Sequence, residues 1–178
     1  MDWLTTALKV RFTRVSALDV AKMDFSGAAK IRKLCEDNVC GSYATNWTCP
    51  PGVGAPEECV AQIKKYNRAY VVQYEEPLED LTDSAEVSRV RSQFKILMRG
   101  FLPAFRREHP DFLALGAGGC EICAKCAYPG APCRNPDKMI QSLSAFCVDA
   151  QQACDLAGLP CWRKGYLAFT GMYFIDKR

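Results

Sequence analysis

The chain of 178 residues carries 23 basic and 20 acidic side chains, and its net charge of +3 is too small to argue for nucleic acid or an anionic membrane as partner. Hydrophobic residues make up 49% of it, which excludes disorder. A chain this long buries roughly 70% of its unfolded surface, so it has no size-based need of disulfide staples.

Cysteine is the outlier: there are 11, an odd number, so they cannot all pair within the chain. No apolar run is long enough to cross a bilayer, and Lys9, Arg11 and Arg14 interrupt any secretory pattern near the start. A cysteine-rich chain with these features is expected to use its thiols for metal in a reducing cytoplasm.

Leu8, Val10 and Phe12 alternate with Lys9 and Arg11, which predicts a strand or extended arm within residues 1–30. Residues 26–34 lead into Cys35. From Cys40 to Gly52 the density of Gly, Ser, Asn and Pro predicts a loop. Pro56-Glu57-Glu58 opens a helix to about Asn67, with proline and early carboxylates suited to its first turn.

Ala69 to Tyr74 is β-branched and aromatic, and predicts a strand. Val87, Val90, Phe94, Leu97, Met98, Phe101 and Phe105 recur at helical spacing from about Ser84, giving one apolar face; Pro103 should kink this helix or start a new turn. Phe112–Leu115 is a short strand. Pro136-Asp137 is expected to open a helix to about Phe146. A further helix over Asp149–Ala157 ends at Gly158, and 166–175 forms a last strand or hairpin. The order predicts an α/β (or α+β) protein: a small layered sheet with helices, at least partly parallel, and two cysteine-rich loops around metal clusters. One domain over 1–178 is expected.

Chemistry concentrates in Cys120-x2-Cys123-x2-Cys126, followed by Cys133 seven positions on. A single tetrahedral zinc is usually held by two separated pairs of thiolates, and does not need three ligands packed this closely. An iron–sulfide cubane has irons at different corners, which a thiolate at every third position can reach. The spacing is like a bacterial ferredoxin run, with a longer last gap and with Arg134 where a proline would follow the fourth cysteine. Gly116, Gly118 and Gly119 let backbone approach such a cluster, and match no dinucleotide fingerprint.

The second constellation is Cys35, Cys40, Cys49 and Cys59, irregularly spaced, with Cys49-Pro50-Pro51 stiffening the loop. Trp47 and Tyr43 are candidates to shield a cluster from water. Eight thiolates suit two [4Fe-4S] cubanes. Cys147, Cys154 and Cys161 read as buried thiols behaving as small hydrophobes, with one of them as the minority candidate for a missing ligand. His109, the only histidine, has no triad or imidazole partner in the pattern and reads as structural. Glu57-Glu58 and Glu75-Glu76 read as a helix start and a strand end; Arg106-Arg107 and Lys177-Arg178 read as solvated charge.

Two motifs, Cys35…Cys40-x2-Tyr43…Trp47-x-Cys49-Pro50-Pro51 and Gly118-x-Cys120-x2-Cys123-x2-Cys126…Cys133-Arg134-x-Pro136, together resemble a family of predicted metal-binding proteins of unknown function from anaerobic bacteria and archaea. The resemblance implies metal or iron–sulfur binding in an anaerobic cytoplasm and supplies no reaction. It carries over Cys35, Cys40, Cys49, Cys120, Cys123, Cys126 and Cys133, and leaves the eighth ligand open between Cys59 and an iron kept free.

Three functions follow as expectations. The leading one is an electron carrier or redox accessory protein with one or two [4Fe-4S] clusters and a redox partner protein. The second is an iron–sulfur enzyme or activator with an open iron site. The third is a structural zinc module built on the same cysteines.

Overall fold

A computed structural model describes residues 3–176. Lys177 and Arg178 lie outside the described residues.

The sheet is built from β1 (Arg14–Asp19), β2 (Arg68–Pro77), β3 (Leu113–Gly116), β4 (Gln141–Ser142) and β5 (Tyr166–Ile175), in the order β1-β2-β5-β3-β4. The β3–β4 pair is parallel and the other neighbours are antiparallel. The longest ladder joins β2 to β5 from Arg68↔Ile175 to Pro77↔Tyr166. Around the sheet lie α1 (Trp3–Arg11), α2 (Ala28–Glu36), α3 (Pro56–Ile63), α4 (Ser84–Glu108) and α5 (Ala150–Ala157).

Strand periodicity splits the core in two. Tyr70, Val72, Tyr173 and Ile175 face Leu4, Leu8 and Phe12 of the N-terminal region and Phe94, Met98, Leu102 and Phe105 of α4. Ala69, Val71, Met172 and Phe174 face Cys59 and Ile63 of α3 and Ala153 and Ala157 of α5. The layered α/β expectation therefore holds, with parallel pairing confined to one short pair.

Gly171 lets α4 lie against β5: a Cβ there would stand 2.5 Å from Met98 Sδ and 2.9 Å from Phe94 Cζ. Tyr173 fixes the same contact by donating its hydroxyl to Met98 O at 2.7 Å. Asp83 caps α4 by accepting from the Ala85 and Glu86 N–H groups, and the helix continues through Pro103 to Glu108. The residues around that proline, Leu102 and Phe105, are anchored in the core.

Two local expectations are corrected. Residues 8–11 are helical, not a strand: Leu4, Leu8 and Phe12 recur every fourth residue and are buried, while Val10, which made the alternation, is 76% exposed. The helix expected from Pro136 to Phe146 is absent. A single 3-10 turn, Pro136–Lys138, precedes β4, which pairs with the edge of β3. At the other end of the molecule α5 begins and ends as read, with Asp149 accepting from the Gln151 and Gln152 N–H groups and Gly158 left-handed at φ 67°.

Candidate metal centre

β3 delivers the chain into the second cysteine loop, and α4 holds it. Lys95 Nζ donates to Gly119 O at 2.5 Å and to Glu121 Oε1 at 2.7 Å, and Arg91 Nε lies 3.3 Å from the same carboxylate. Burial lowers the Lys95 pKa despite its pairing with Glu121. Desolvation therefore outweighs attraction on the lysine side, and the pair fixes position more than it adds stability. Lys95, Arg99 and Lys138 line a hollow beside Cys120 and Ile122, so positive charge surrounds this end of the loop.

Several donors meet its sulfurs. The Asn135 backbone N–H donates to Cys133 Sγ at 3.4 Å, and Asn135 Nδ2 donates to Cys123 Sγ at 3.3 Å. Burial would raise the Cys126 thiol, but the N–H groups of Tyr128, Trp47 and Ala127, with the Arg134 charge, pull it below its ordinary value. Cys120 is raised, chiefly by burial, with Ile122 N–H and Arg99 opposing and the charges of Cys133 and Cys123 adding to the rise. These three cysteines thus lie within electrostatic reach of one another. The Arg134 guanidinium donates to Lys125 O across the loop.

The first loop is assembled differently. Cys35 stands in the last turn of α2, Cys40 is exposed on the following turn, and Cys49 is buried. Asn46 Oδ1 organises the approach to Cys49, accepting from Thr48 N–H at 3.0 Å and from the Thr48 hydroxyl at 2.7 Å. Burial pushes the Cys49 thiol up, the Asn46 and Thr48 side chains oppose, and the charges of Cys40 and Cys35 add to it. Cys59 stands apart from these three. It is an interior residue of α3, 1% exposed, in the apolar core with Ile63 and Phe146.

Thr48 joins the loops, accepting from Cys120 N–H at 2.9 Å and, through its carbonyl, from Ser142 N–H at 3.1 Å. Trp47 bridges them again. Its ring meets Tyr128 edge-on with centroids 4.8 Å apart, and Nε1 donates to Ala131 O at 3.0 Å. Gly119 packs against the first loop, where a Cβ would fall 2.9 Å from Ser42 Oγ.

The remaining cysteines divide. Cys154, in α5, meets Gln73 Nε2 at 3.4 Å, and its thiol is pushed up to about 12 by burial and by hydrogen bonding to Cys161. Cys147 is not on that helix; it precedes α5 in a turn, with φ 61°. His109 follows α4, its backbone N–H donating to Phe105 O at 2.7 Å. Glu58 caps α3 by accepting from Ala55 N–H at 2.8 Å, and Glu75 is paired with Arg14 and Arg163.

Sequence reasoning missed Lys95, Arg32, Thr48 and Asn135. Only Asn135 carried a local signal, as the residue between Cys133-Arg134 and Pro136.

Among the described residues, no three Cys, His, Asp or Glu side chains gather closely enough to hold one metal ion. The donor chemistry nonetheless fits a thiolate-held group: soft sulfur ligands on two interlocked loops, N–H donors on Cys123, Cys126 and Cys133, and cationic side chains nearby. Cys120, Cys123, Cys126 and Cys133 would hold such a group in the second loop; Cys35, Cys40 and Cys49 would contribute to one in the first.

A layered α/β protein with two cysteine loops set against one another is the class that fold and site define. The chain belongs to the family of predicted metal-binding proteins (DUF2284), whose model matches residues 18–174. No curated protein and no solved structure matches it. No described helix is long and apolar enough to cross a membrane.

Proposed function

We propose that this is an iron–sulfur protein that binds two [4Fe-4S] clusters, one on each cysteine loop, and serves in electron transfer or as a redox accessory protein in a reducing cytoplasm. The observation that carries the reading is the second loop: four thiols within fourteen positions, from Cys120 to Cys133, each of which receives an N–H donor. Hydrogen bonds to sulfur and shielding from water are the levers by which a protein sets a cluster's potential. A bound cluster supplies one-electron transfer. The chain's part is to present thiolates, to stabilise their negative charge with Arg99, Lys95 and the loop amides, and to cover the site with Trp47 and Tyr128.

Among the described residues, Lys95 and Glu121 beside the second loop are engaged with each other and with Gly119 O and are not held as a free acid–base pair, which favours an electron carrier over a hydrolytic or group-transfer enzyme. A partner protein that exchanges electrons with it completes the proposal. The test is anaerobic purification followed by iron, zinc and acid-labile sulfide analysis, EPR and redox titration. Iron and sulfide in equal amounts with a reversible one-electron step are expected. Stoichiometric zinc without sulfide would overturn the reading in favour of a structural module.

A further inference from the structure

We propose that Cys147, and not Cys59, is the fourth sulfur ligand of the first cysteine loop, completing a site with Cys35, Cys40 and Cys49. This deepens the metal-binding reading and rests on it.

The backbone around Cys147 is the first observation. Val148 N–H donates to Leu143 O at 3.2 Å and Cys147 N–H donates to Ser144 O at 2.9 Å. These are the two bonds of a Schellman turn, and Cys147 occupies its left-handed position at φ 61°. Glycine is the usual residue there, because a Cβ is strained in this conformation. Nothing in the turn's own hydrogen bonding uses the cysteine side chain. The thiol is 1% exposed, yet Cys147 belongs to neither apolar core although Phe146 and Val148 on either side of it do. A buried thiol on a strained backbone, outside both contiguous apolar clusters, points to a role for its sulfur.

Arg32 is the second observation. It lies one helical turn before Cys35 on α2 and is 6% exposed. Its guanidinium donates to Gly54 O at 2.7 Å and to Ala145 O at 2.8 Å, which ties α2 to the turn carrying Cys147. Nε is buried with no hydrogen-bond partner. The guanidinium lies between two thiols: Nη2 donates to Cys59 Sγ at 3.6 Å, and its charge and that of Cys35 both act on Cys147. A buried arginine with an unused N–H is costly beside neutral thiols. Beside a metal group ligated by thiolates, which carries negative charge, it is compensated.

Cys59 shares the arginine, with Arg32 Nη2 donating to its Sγ at 3.6 Å, and differs from Cys147 in its backbone and packing. It sits in regular helix, its thiol donates to Val53 O at 3.4 Å, and it packs with Ile63, Leu143 and Phe146 in an apolar core. Core packing accounts for its burial without backbone strain, so the left-handed turn, and not the arginine, separates the two cysteines.

The experiment compares anaerobically reconstituted wild type with Cys147→Gly, Cys59→Ala and Cys40→Ser, reading iron and sulfide per chain and the EPR spectrum. Glycine at 147 suits the left-handed turn, so the apo variant should keep a cooperative thermal transition. Cys147→Ser, nearly isosteric, is the second variant if it does not. Loss of about one iron or more per chain with a changed spectrum is expected for Cys147→Gly, Cys147→Ser and Cys40→Ser, because a site short of one thiolate releases the iron that thiolate held. Cys59→Ala should keep the wild-type content. A full iron complement and an unchanged spectrum in folded Cys147→Gly overturn the assignment, as does iron loss in Cys59→Ala alone. If wild type takes up no metal at all, the metal-binding reading fails first and takes the assignment with it, a result distinct from a variant that behaves like a metal-loaded parent. If the metal is zinc, the same comparison is read in zinc per chain.

Discussion

The two cysteine loops differ in how their sulfurs are brought together. In the second, all four candidate ligands come from one stretch between β3 and the 3-10 turn at Pro136, fixed by α4 through Lys95. In the first, Cys35 ends a helix, Cys40 is exposed and Cys49 is buried, and the sulfur proposed to complete the set, Cys147, is nearly a hundred positions from Cys49 in sequence. One site is written in a motif. The other is assembled by tertiary structure, and its stability should follow that of the fold.

The largest expected effect tests the local site. Cys123→Ala should remove about half of the bound iron while the first loop keeps its share, because eight thiolates divide between two cubanes. Iron analysis with EPR checks it, and loss of all iron would mean that the loops do not load separately. Next comes the scaffold. Gly171→Ala drives a methyl into Met98 Sδ and Phe94, and should destabilise by about 1–3 kcal/mol, read as a lower urea midpoint. Because α4 carries the second loop, exchange at residues 117–122 should rise with it. Lys95→Met isolates that anchor. It deletes the bonds to Gly119 O and Glu121 and should cost about 1–2 kcal/mol, since relief of lysine desolvation offsets part of the loss. Hydrogen exchange should then increase in the second loop and stay unchanged at Cys35 and Cys40.

The smallest effect concerns the tie between β2 and α4. Arg89 donates to Glu76 at 2.5 Å and Tyr74 OH donates to Glu76 Oε1 at 2.5 Å, and these bonds hold the Glu76 carboxyl below its ordinary value of 4.5. A carboxyl depressed on folding contributes stability above its unfolded pKa and loses it as pH falls through the folded one. Glu76→Gln should therefore cost under about 1 kcal/mol near neutrality, because Arg89 is half exposed, and the difference from wild type should shrink as pH falls below the ordinary carboxyl value of 4.5. Urea titrations at pH 7 and pH 3.5 check the sign.

What the sequence made legible was local. β2, α4 and α5 with its left-handed Gly158 follow from residue type and period, and the second loop follows from thiol spacing. The N-terminal helix was hidden because Leu8, Val10 and Phe12 imitate a strand; the i, i+4 series from Leu4 was the better guide, and the exposure of Val10 decides it. The segment after Pro136 lost its expected helix to pairing between β4 and the edge of β3. Lys95 and Arg32 could not be recognised as anchors, because their roles depend on carbonyls at Gly119, Gly54 and Ala145, distant in sequence. Cys147 read as an ordinary buried thiol since a left-handed backbone leaves no trace in a residue's name.

Strand β5 lies between β2 and β3, and it is also the latest element in chain order. Until Tyr166–Ile175 has been synthesised, β1–β2 and β3–β4 have no partner in common, and Gly171 is not there to seat α4. The clamp on the second loop closes only then. Assembly of the candidate site thus waits on synthesis of β5: a nascent chain that lacks it offers loose thiols, and one that has it offers a preset cradle.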